Sequence, residues 1–217
     1  DNITVSDDFA GTANLIGAGA GNDTISLSAD VFAGGNSIIG GGGNDSISIS
    51  GNTKISGAIY GGAGADSITI SAGSTFAGAG LAFANLTEST LSKTDVVNGP
   101  NAGATGLVFS VSAVTTKLST GVAGGSEFAD ATKLYTTGII QSALFKTAAG
   151  VTARAATLDA SGGGLGATFV FESENTEYLF IQGGAAGTAD DLVVNLGNPG
   201  AQNLDAFTLA SGKITMS

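Results

Sequence analysis

Three stretches of the sequence align without gaps: AGAGNDTIS at residues 18–26, GGGGNDSIS at residues 40–48 and GGAGADSIT at residues 61–69. Asp45 lies 22 residues after Asp23, and Asp66 lies 21 residues after Asp45. Counting back 22 residues from Asp23 reaches Asp1, and the NITV that follows reads as the tail of a fourth copy whose glycine turn would precede it. A fixed period of roughly 20–50 residues is typical of repeat architectures.

Each repeat carries two short strand signals. After the aspartate, apolar residues alternate with Ser or Thr, as in Ile25 and Leu27, and the second signal closes the repeat, as in Leu15-Ile16. Between them lies a looser turn in which an apolar residue recurs: Phe9, Phe32, Ile55 and Phe76. Because one repeat cannot bury its own apolar row, we expect stacking to superpose Ile25, Ile47 and Ile68 in an interior ladder.

The fold class follows from this pattern. Two strands and two turns per period predict a mainly β chain that begins with a parallel β-roll or β-solenoid of about 22 residues per coil. The strict period ends after residue 80, so we expect the roll at residues 1–80 and a β-rich α+β C-terminal domain at residues 81–217.

The composition excludes several classes of function. Eighteen acidic residues face 7 basic ones, for a net charge of −11, and such a surface repels nucleic acid while attracting divalent cations. The chain has no Cys and no His, which excludes disulfides, zinc sites built on those residues and Ser-His-Asp catalysis. No apolar run reaches about 18 residues, so no membrane span is expected.

The nine-residue unit resembles the nonapeptide of RTX (repeats-in-toxin) proteins, G-G-x-G-x-D-x-U-x, in which U is a large apolar residue. The copies around Asp45 and Asp66 match every fixed position, and the copy around Asp23 departs once, with Ala18 in place of the first glycine. RTX motifs usually recur every nine residues on both edges of the roll. Here only one edge carries the motif, so one row of calcium ions is expected.

The motif suits calcium, which takes six to eight oxygen ligands at about 2.3–2.6 Å. Glycines at positive φ let carbonyls converge, and the aspartate supplies the negative charge. We expect sites between successive coils, where Asp23 meets carbonyls near Gly40 and Gly42, and Asp45 meets carbonyls near Gly61 and Ala63. The expected ligands are Asp1, Gly19, Gly21, Asn22, Asp23, Gly40, Gly42, Asn44, Asp45, Gly61, Ala63 and Asp66. Stacked carboxylates repel one another, so folding should depend on calcium; the alternative is a metal-free stack of tight turns.

The second part of the chain carries weaker signals. Strands are expected at Val96-Val97 and at residues 107–114, 167–172, 176–182 and 192–196, the third and fourth of them forming a hairpin. Lys93-Thr94-Asp95-Val96 reads as one degenerate further turn. A short amphipathic helix is expected at residues 137–148, where packing on a neighbouring sheet is favoured over binding a partner.

Residues 167–196 resemble the C-terminal domains of type I-secreted RTX and S-layer-like proteins. The shared pattern is T-x-Y-[LV]-[FV], here Thr176 to Phe180, and D-x-[VL]-[VI]-x-L, here Asp191 to Leu196. The resemblance implies export by the type I secretion apparatus, an uncleaved signal near residues 204–217, and an extracellular or cell-surface location. An ordinary closing β-domain is the alternative.

Two other acidic groups are candidate sites. Asp190-Asp191 either ligates a further calcium or begins a strand with solvated carboxylates. Glu172, Glu174 and Glu177 could mimic the paired carboxylates of a glycosidase, but no aromatic sugar platform accompanies them, so no catalysis is expected.

The leading function is that of a secreted, calcium-binding structural protein, an S-layer, filament or adhesin subunit that self-associates and is not an enzyme. The alternatives are the calcium-binding end of a larger extracellular hydrolase and a virion surface component.

Overall fold

In the computed structural model the described residues are 1–8, 14–28, 31–32, 35–51, 54–71, 73–76, 80–99, 107–112, 117–118, 150–160, 164–174, 176–197, 207–210 and 213–216. The chain is mainly β, with extensive parallel pairing, as the repeat predicted. The helix expected at residues 137–148 lies outside the described residues. Of the signal expected near residues 204–217, the structure describes residues 207–210 and 213–216, which are strands.

The strands of the repeats are short and evenly spaced. They are β1 (Asn2–Val5), β2 (Leu15–Ala20), β3 (Thr24–Leu27), β4 (Val31–Phe32), β5 (Ser37–Gly42), β6 (Ser46–Ile49), β7 (Lys54–Ile55), β8 (Ala58–Ala63), β9 (Ser67–Ile70), β10 (Thr75–Phe76) and β11 (Gly80–Phe83).

The remaining elements include one described α-helix. They are β12 (Asp95–Asn98), β13 (Leu107–Val111), β14 (Lys117–Leu118), α1 (Gly150–Ala160), β15 (Ala167–Ser173), β16 (Thr176–Ile181), β17 (Leu192–Asn195), β18 (Phe207–Ala210) and β19 (Lys213–Met216). Among the described ranges, no helix has both the length and the apolar character needed to cross a membrane.

The strands form two long sheets and one short one. The aspartate sheet, which contains the strands that follow the aspartates, has the order β1-β3-β6-β9-β12-β17-β16-β15-β14. The opposite sheet has the order β2-β5-β8-β11-β13-β19-β18, and it is parallel from β2 to β13. Pairing in the aspartate sheet is parallel from β1 to β17 and antiparallel through β16 and β15.

The register of the aspartate sheet confirms the predicted ladder. Ile25 pairs with Ile47, and Ile47 pairs with Ile68, all of them at most 1% exposed. The ladder runs on to Val97 in β12 and begins at Ile3 in β1. β3, β6 and β9 bury their second and fourth residues, and β12 adds its third residue, Val97. The stacked repeats therefore share one continuous apolar interior.

Three of the looser turns contain a strand that the sequence did not predict. β4, β7 and β10 pair in parallel and make a three-stranded sheet. The recurring apolar residues Phe32, Ile55 and Phe76 lie in these strands and are buried, whereas Phe9 lies outside the described residues. A two-residue strand has too short an alternation to be recognised from sequence.

Parallel stacking continues across residue 80, where the strict period ends. β11 pairs with β8, and β12 pairs with β9. The extra residues between β11 and β12 form a 3-10 turn, Leu86–Glu88, whose buried Leu86 packs on the shared core. The Asn85 carboxamide caps this turn by accepting the backbone N–H of Thr87 at 3.0 Å.

The hairpin predicted for the C-terminal part is confirmed, because β15 and β16 pair antiparallel from Thr168 to Ser173. Helix α1 was not predicted. It buries Ala155 and Leu158 in a second apolar cluster that includes Phe169 and Phe180. Its sequence, GVTARAATLDA, has good helix formers but few large apolar residues, so its periodicity is weak.

Candidate metal centre

The turns that precede Asp23, Asp45 and Asp66 are built from glycines, because their backbone adopts positive φ angles that other residues rarely adopt. Two glycines in every repeat have a φ between 104° and 148°, namely Gly19, Gly21, Gly41, Gly43, Gly62 and Gly64. This conformation lets the turns of neighbouring repeats approach until their backbones are in contact. At Gly41, an added methyl group would overlap the carbonyl oxygen of Gly19 in the preceding repeat.

The aspartates form a row of side-chain to backbone hydrogen bonds. Asp45 Oδ1 accepts the backbone N–H of Asp23 at 2.8 Å, and Asp66 Oδ1 accepts that of Asp45 at 2.8 Å. Asp95 Oδ1 accepts the N–H of Asp66 at 2.9 Å. At the other end, the amino group of Asp1 bonds Asp23 Oδ1. Each carboxylate is thereby fixed between two repeats, and we call Asp23, Asp45, Asp66 and Asp95 the aspartate row.

The second oxygen of every carboxylate in the row is buried without a hydrogen-bond partner in the described chain. The four residues are at most 3% exposed. An unsatisfied buried oxygen costs about 1–3 kcal/mol, and more when the group carries charge. One such oxygen would be an isolated defect, but the same defect at the same place in four successive turns points to a missing partner. A cation fits where no donor is present.

Backbone carbonyls lie beside these oxygens. An added Cβ at Gly40 would meet both Asp45 Oδ2 and the carbonyl oxygen of Gly61 closer than real carbon–oxygen contacts allow. Both oxygens therefore lie against the side of Gly40 on which a side chain would be. The same overlap with Asp66 Oδ2 occurs at Gly61. The structure thus brings Asp45 and the Gly61 carbonyl together, as the sequence predicted, and the donors are all oxygens.

Two of the carbonyl groups expected as ligands already accept a backbone hydrogen bond. The carbonyls of Gly42 and Ala63 accept backbone N–H groups of the preceding repeat, from Gly21 at 2.7 Å and Gly43 at 2.8 Å. Asp1 lies on the edge strand side with its side chain 76% exposed. These residues remain predicted ligands whose geometry is less direct than that of the aspartate row.

The expected asparagine ligands bind the neighbouring repeat through the backbone. Asn22 Oδ1 accepts the N–H of Asn44 at 2.8 Å, and Asn44 Oδ1 accepts that of Ala65 at 2.9 Å. These bonds point toward the following repeat, whereas the aspartate bonds point toward the preceding one. In the turns of Asp23 and Asp45, the two side chains therefore bond the neighbouring repeats on both sides, whereas the turn of Asp66 has Ala65 in place of the asparagine.

Asp95 belongs to the row, although it was not among the predicted ligands. The sequence signal was present, because Asp95-Val96-Val97 matches the D-x-U portion of the motif. The glycines are missing, and the spacing from Asp66 is 29 residues because of the inserted 3-10 turn. Ser89 closes the row: its hydroxyl accepts the N–H of Asp95 at 2.8 Å and donates to the carbonyl of Val193.

The raised pKa values of two aspartates in the row indicate that little positive charge lies near their carboxylates. The pKa of Asp95 is raised to about 8, mainly by burial and also by the charges of Asp66 and Glu88, against the opposing effects of the hydrogen bond from Asp66 and the charge of Lys93. Burial likewise raises the pKa of Asp66, with a smaller raising effect from Asp45. Within the described ranges no three acidic side chains gather into a ready metal centre, so carbonyls would have to complete each site.

The raised pKa of Asp95 predicts a pH dependence in the absence of metal. A raised pKa means that the folded chain holds this proton more tightly than the unfolded chain, so the stabilisation is present below about pH 4 and lost as the pH rises toward about 8. In chelator, we expect the free energy of unfolding to fall by on the order of 1 kcal/mol per pH unit between pH 5 and 7. Urea unfolding at several pH values measures it. Asp95→Asn should flatten the slope, and an unchanged slope in that variant would assign it to another group.

The glutamates considered for catalysis lie on the hairpin. Glu172 and Glu177 occupy paired positions of β15 and β16, and Glu177 is buried. Glu174, at the turn, is exposed and has a φ of 53°. The expectation that they carry no catalysis remains a prediction.

No protein-family model, no curated protein and no solved structure matches this chain.

Proposed function

We propose that this chain is a secreted structural protein of the cell surface whose stacked repeats form a calcium-dependent β-roll. The observation that carries the proposal is the aspartate row, in which four buried carboxylates each leave one oxygen unpartnered. No other unpartnered buried oxygen in the described chain recurs at the same position of successive repeats. A bound cation at each step would convert the cost of that unpartnered oxygen into a stabilising contact.

The donor chemistry favours calcium. Carboxylate and carbonyl oxygens suit hard cations, and the chain has no His or Cys to attract zinc or copper. Magnesium demands a near-ideal octahedron and keeps several of its waters, whereas calcium accepts irregular cages of six to eight oxygens. A cage shared between two backbone turns is irregular by construction, so calcium is the better fit.

Each site draws its ligands from two repeats, and binding is therefore coupled to stacking. Asp45 and the Gly61 carbonyl, for example, belong to successive repeats and meet only when those repeats are packed. At a free calcium concentration of about 1,000 times Kd, one such site adds about 4 kcal/mol to the free energy of unfolding. The folded state is then favoured where calcium is abundant, outside the cell, and disfavoured where it is scarce.

A surface role accounts for the remaining features. The resemblance of the repeat to RTX motifs, and of residues 167–196 to type I-secreted proteins, supports export in a calcium-poor, unfolded state. The outward faces of the aspartate sheet carry small hydroxyl residues such as Ser26, Ser48 and Thr69 and few charges. Such faces suit the packing of identical subunits into a lattice or filament.

The proposal is tested by circular dichroism of the full chain, first stripped of metal with a chelator and then titrated with calcium. We expect the β signal to rise with calcium, and magnesium at the same concentrations to have little effect. Equal β content in chelator and in calcium would overturn the calcium-dependent roll and leave the glycine turns as metal-free scaffolding. Sedimentation velocity on the same samples tests self-association, and monomers at every calcium concentration would contradict the lattice or filament role.

A further inference from the structure

A second group of carboxylates surrounds the loop that joins β16 to β17. Asp191 Oδ1 accepts the N–H of Gly183 at 2.6 Å, and Asp190 Oδ2 accepts that of Ala185 at 2.8 Å. Asp159, near the end of α1, accepts the N–H of Gly187 at 2.7 Å. One carboxylate from α1 and two from the loop itself thus accept N–H groups of alternate residues of this loop, which we call the 183–191 loop.

The oxygens left over at this loop have no partner. Asp191 Oδ2, Asp190 Oδ1 and Gln182 Oε1 are buried without a hydrogen bond in the described chain. Asp191 is 0% exposed and Gln182 is 5% exposed, so water does not solvate them as it would surface groups. The Gln182 amide nitrogen donates to the carbonyl of Asp159 at 2.8 Å and to Asp159 Oδ1 at 3.1 Å, which ties its own oxygen to this place.

The local charge is negative. The pKa of Asp191 is raised to about 6, mainly by burial and also by the carboxylates of Asp159 and Asp190. The hydrogen bond from Gly183 only partly opposes them. At neutral pH the loop therefore concentrates carboxylates that repel one another while their free oxygens lack donors.

We propose that the 183–191 loop binds a divalent cation of the calcium class, with Asp190, Asp191 and the amide oxygen of Gln182 as its protein ligands. The described carboxylates do not form a three-carboxylate centre on their own. The amide oxygen and water complete the cage, as is usual for calcium. Asp159 is a positioning residue that holds Gln182 and Gly187. The site ties α1 to the hairpin, and it is independent of the aspartate row.

Calcium stoichiometry of the full chain, measured by equilibrium dialysis at neutral pH, tests the proposal. Asp190→Asn combined with Asp191→Asn keeps groups that accept the Gly183 and Ala185 N–H bonds but removes both charges, and we expect it to lose a single ion. Asp190→Asn alone changes a half-buried residue and should weaken that ion's affinity by roughly tenfold or more while the chain stays folded. Asp7→Asn, at an exposed site, is the charge-matched control.

The same experiment separates this site from the row. In nuclear magnetic resonance spectra, the amides of Gly183, Ala185 and Gly187 should shift with calcium in the wild type. They should also shift in a variant that carries Asp45→Asn and Asp66→Asn and has lost ions from the row. Unchanged stoichiometry in the Asp190 and Asp191 variants overturns the loop site while leaving the row intact. Loop shifts that vanish in the row variant would also overturn it, because the loop would then be responding at a distance.

Discussion

Asparagine at position 45 is expected to stabilise the chain in chelator and destabilise it in calcium. The carboxamide keeps an oxygen that can accept the N–H of Asp23, as Asp45 Oδ1 does at 2.8 Å. Its amide nitrogen replaces the unpartnered Oδ2, beside the carbonyl of Gly61. Without metal, an orphaned charged oxygen thus becomes a donor facing an acceptor, which should raise the free energy of unfolding by about 1–3 kcal/mol.

With calcium the order of stability reverses. Asparagine supplies no negative charge, so the ion shared by this turn is bound far more weakly. The wild type should then exceed Asp45→Asn by up to about 4 kcal/mol when calcium is near 1,000 times Kd. Urea unfolding of both proteins in chelator and in calcium gives the four values needed. Asp7→Asn should show no reversal, and an Asp45→Asn variant that is destabilised equally in both buffers would contradict a metal role for Asp45.

Gly41→Ala should be among the most damaging additions of a single methyl group in the repeats. Gly41 has a φ of 120°, and its added carbon would overlap the carbonyl of Gly19 in the repeat before it. Relief requires either a backbone change at Gly41 or separation of two paired strands. Strain and overpacking together predict a loss of about 4 kcal/mol.

The neighbouring glycine supplies a matched control. Gly42 has no positive φ, and an added carbon there meets nothing within 4 Å. Gly42→Ala should therefore change the free energy of unfolding by less than about 1 kcal/mol. Thermal and urea unfolding in saturating calcium measure both variants. If Gly41→Ala and Gly42→Ala lower the free energy of unfolding equally, the close approach of successive turns is not the reason that glycine is needed at position 41.

The sequence predicted the parts of the fold that are periodic. The ladder of Ile25, Ile47 and Ile68 follows from spacing alone, because equal spacing with a period-two pattern leaves a single register that buries every large residue. The hairpin of β15 and β16 was predictable for a similar reason, since two strongly apolar runs flank a short polar turn. The tightness of the glycine turns also followed from composition.

Other features depend on tertiary contacts that leave little trace in one repeat. Asp95 was missed as a ligand because an insertion shifts it out of period and no glycines mark its turn. The sequence could not predict that one oxygen of each carboxylate accepts an N–H while the other has no partner, because this depends on which repeat supplies the N–H. Helix α1 is held by its packing on β15, not by a strong pattern of its own.

The termination of the row at Ser89 has a consequence for how such a protein changes over evolutionary time. In every turn before it, the aspartate Oδ1 accepts the N–H of the aspartate in the preceding turn. A chain with one more or one fewer turn would therefore keep the same hydrogen bonds between neighbouring turns. Ser89 ends the series, because its neutral hydroxyl accepts the last N–H, from Asp95, and donates its own hydrogen to the carbonyl of Val193. Duplicating a repeat would therefore lengthen the molecule by about 4.8 Å, the spacing of adjacent strands, without any new kind of contact. Gene duplication could therefore change the length of the stack of repeats in equal steps.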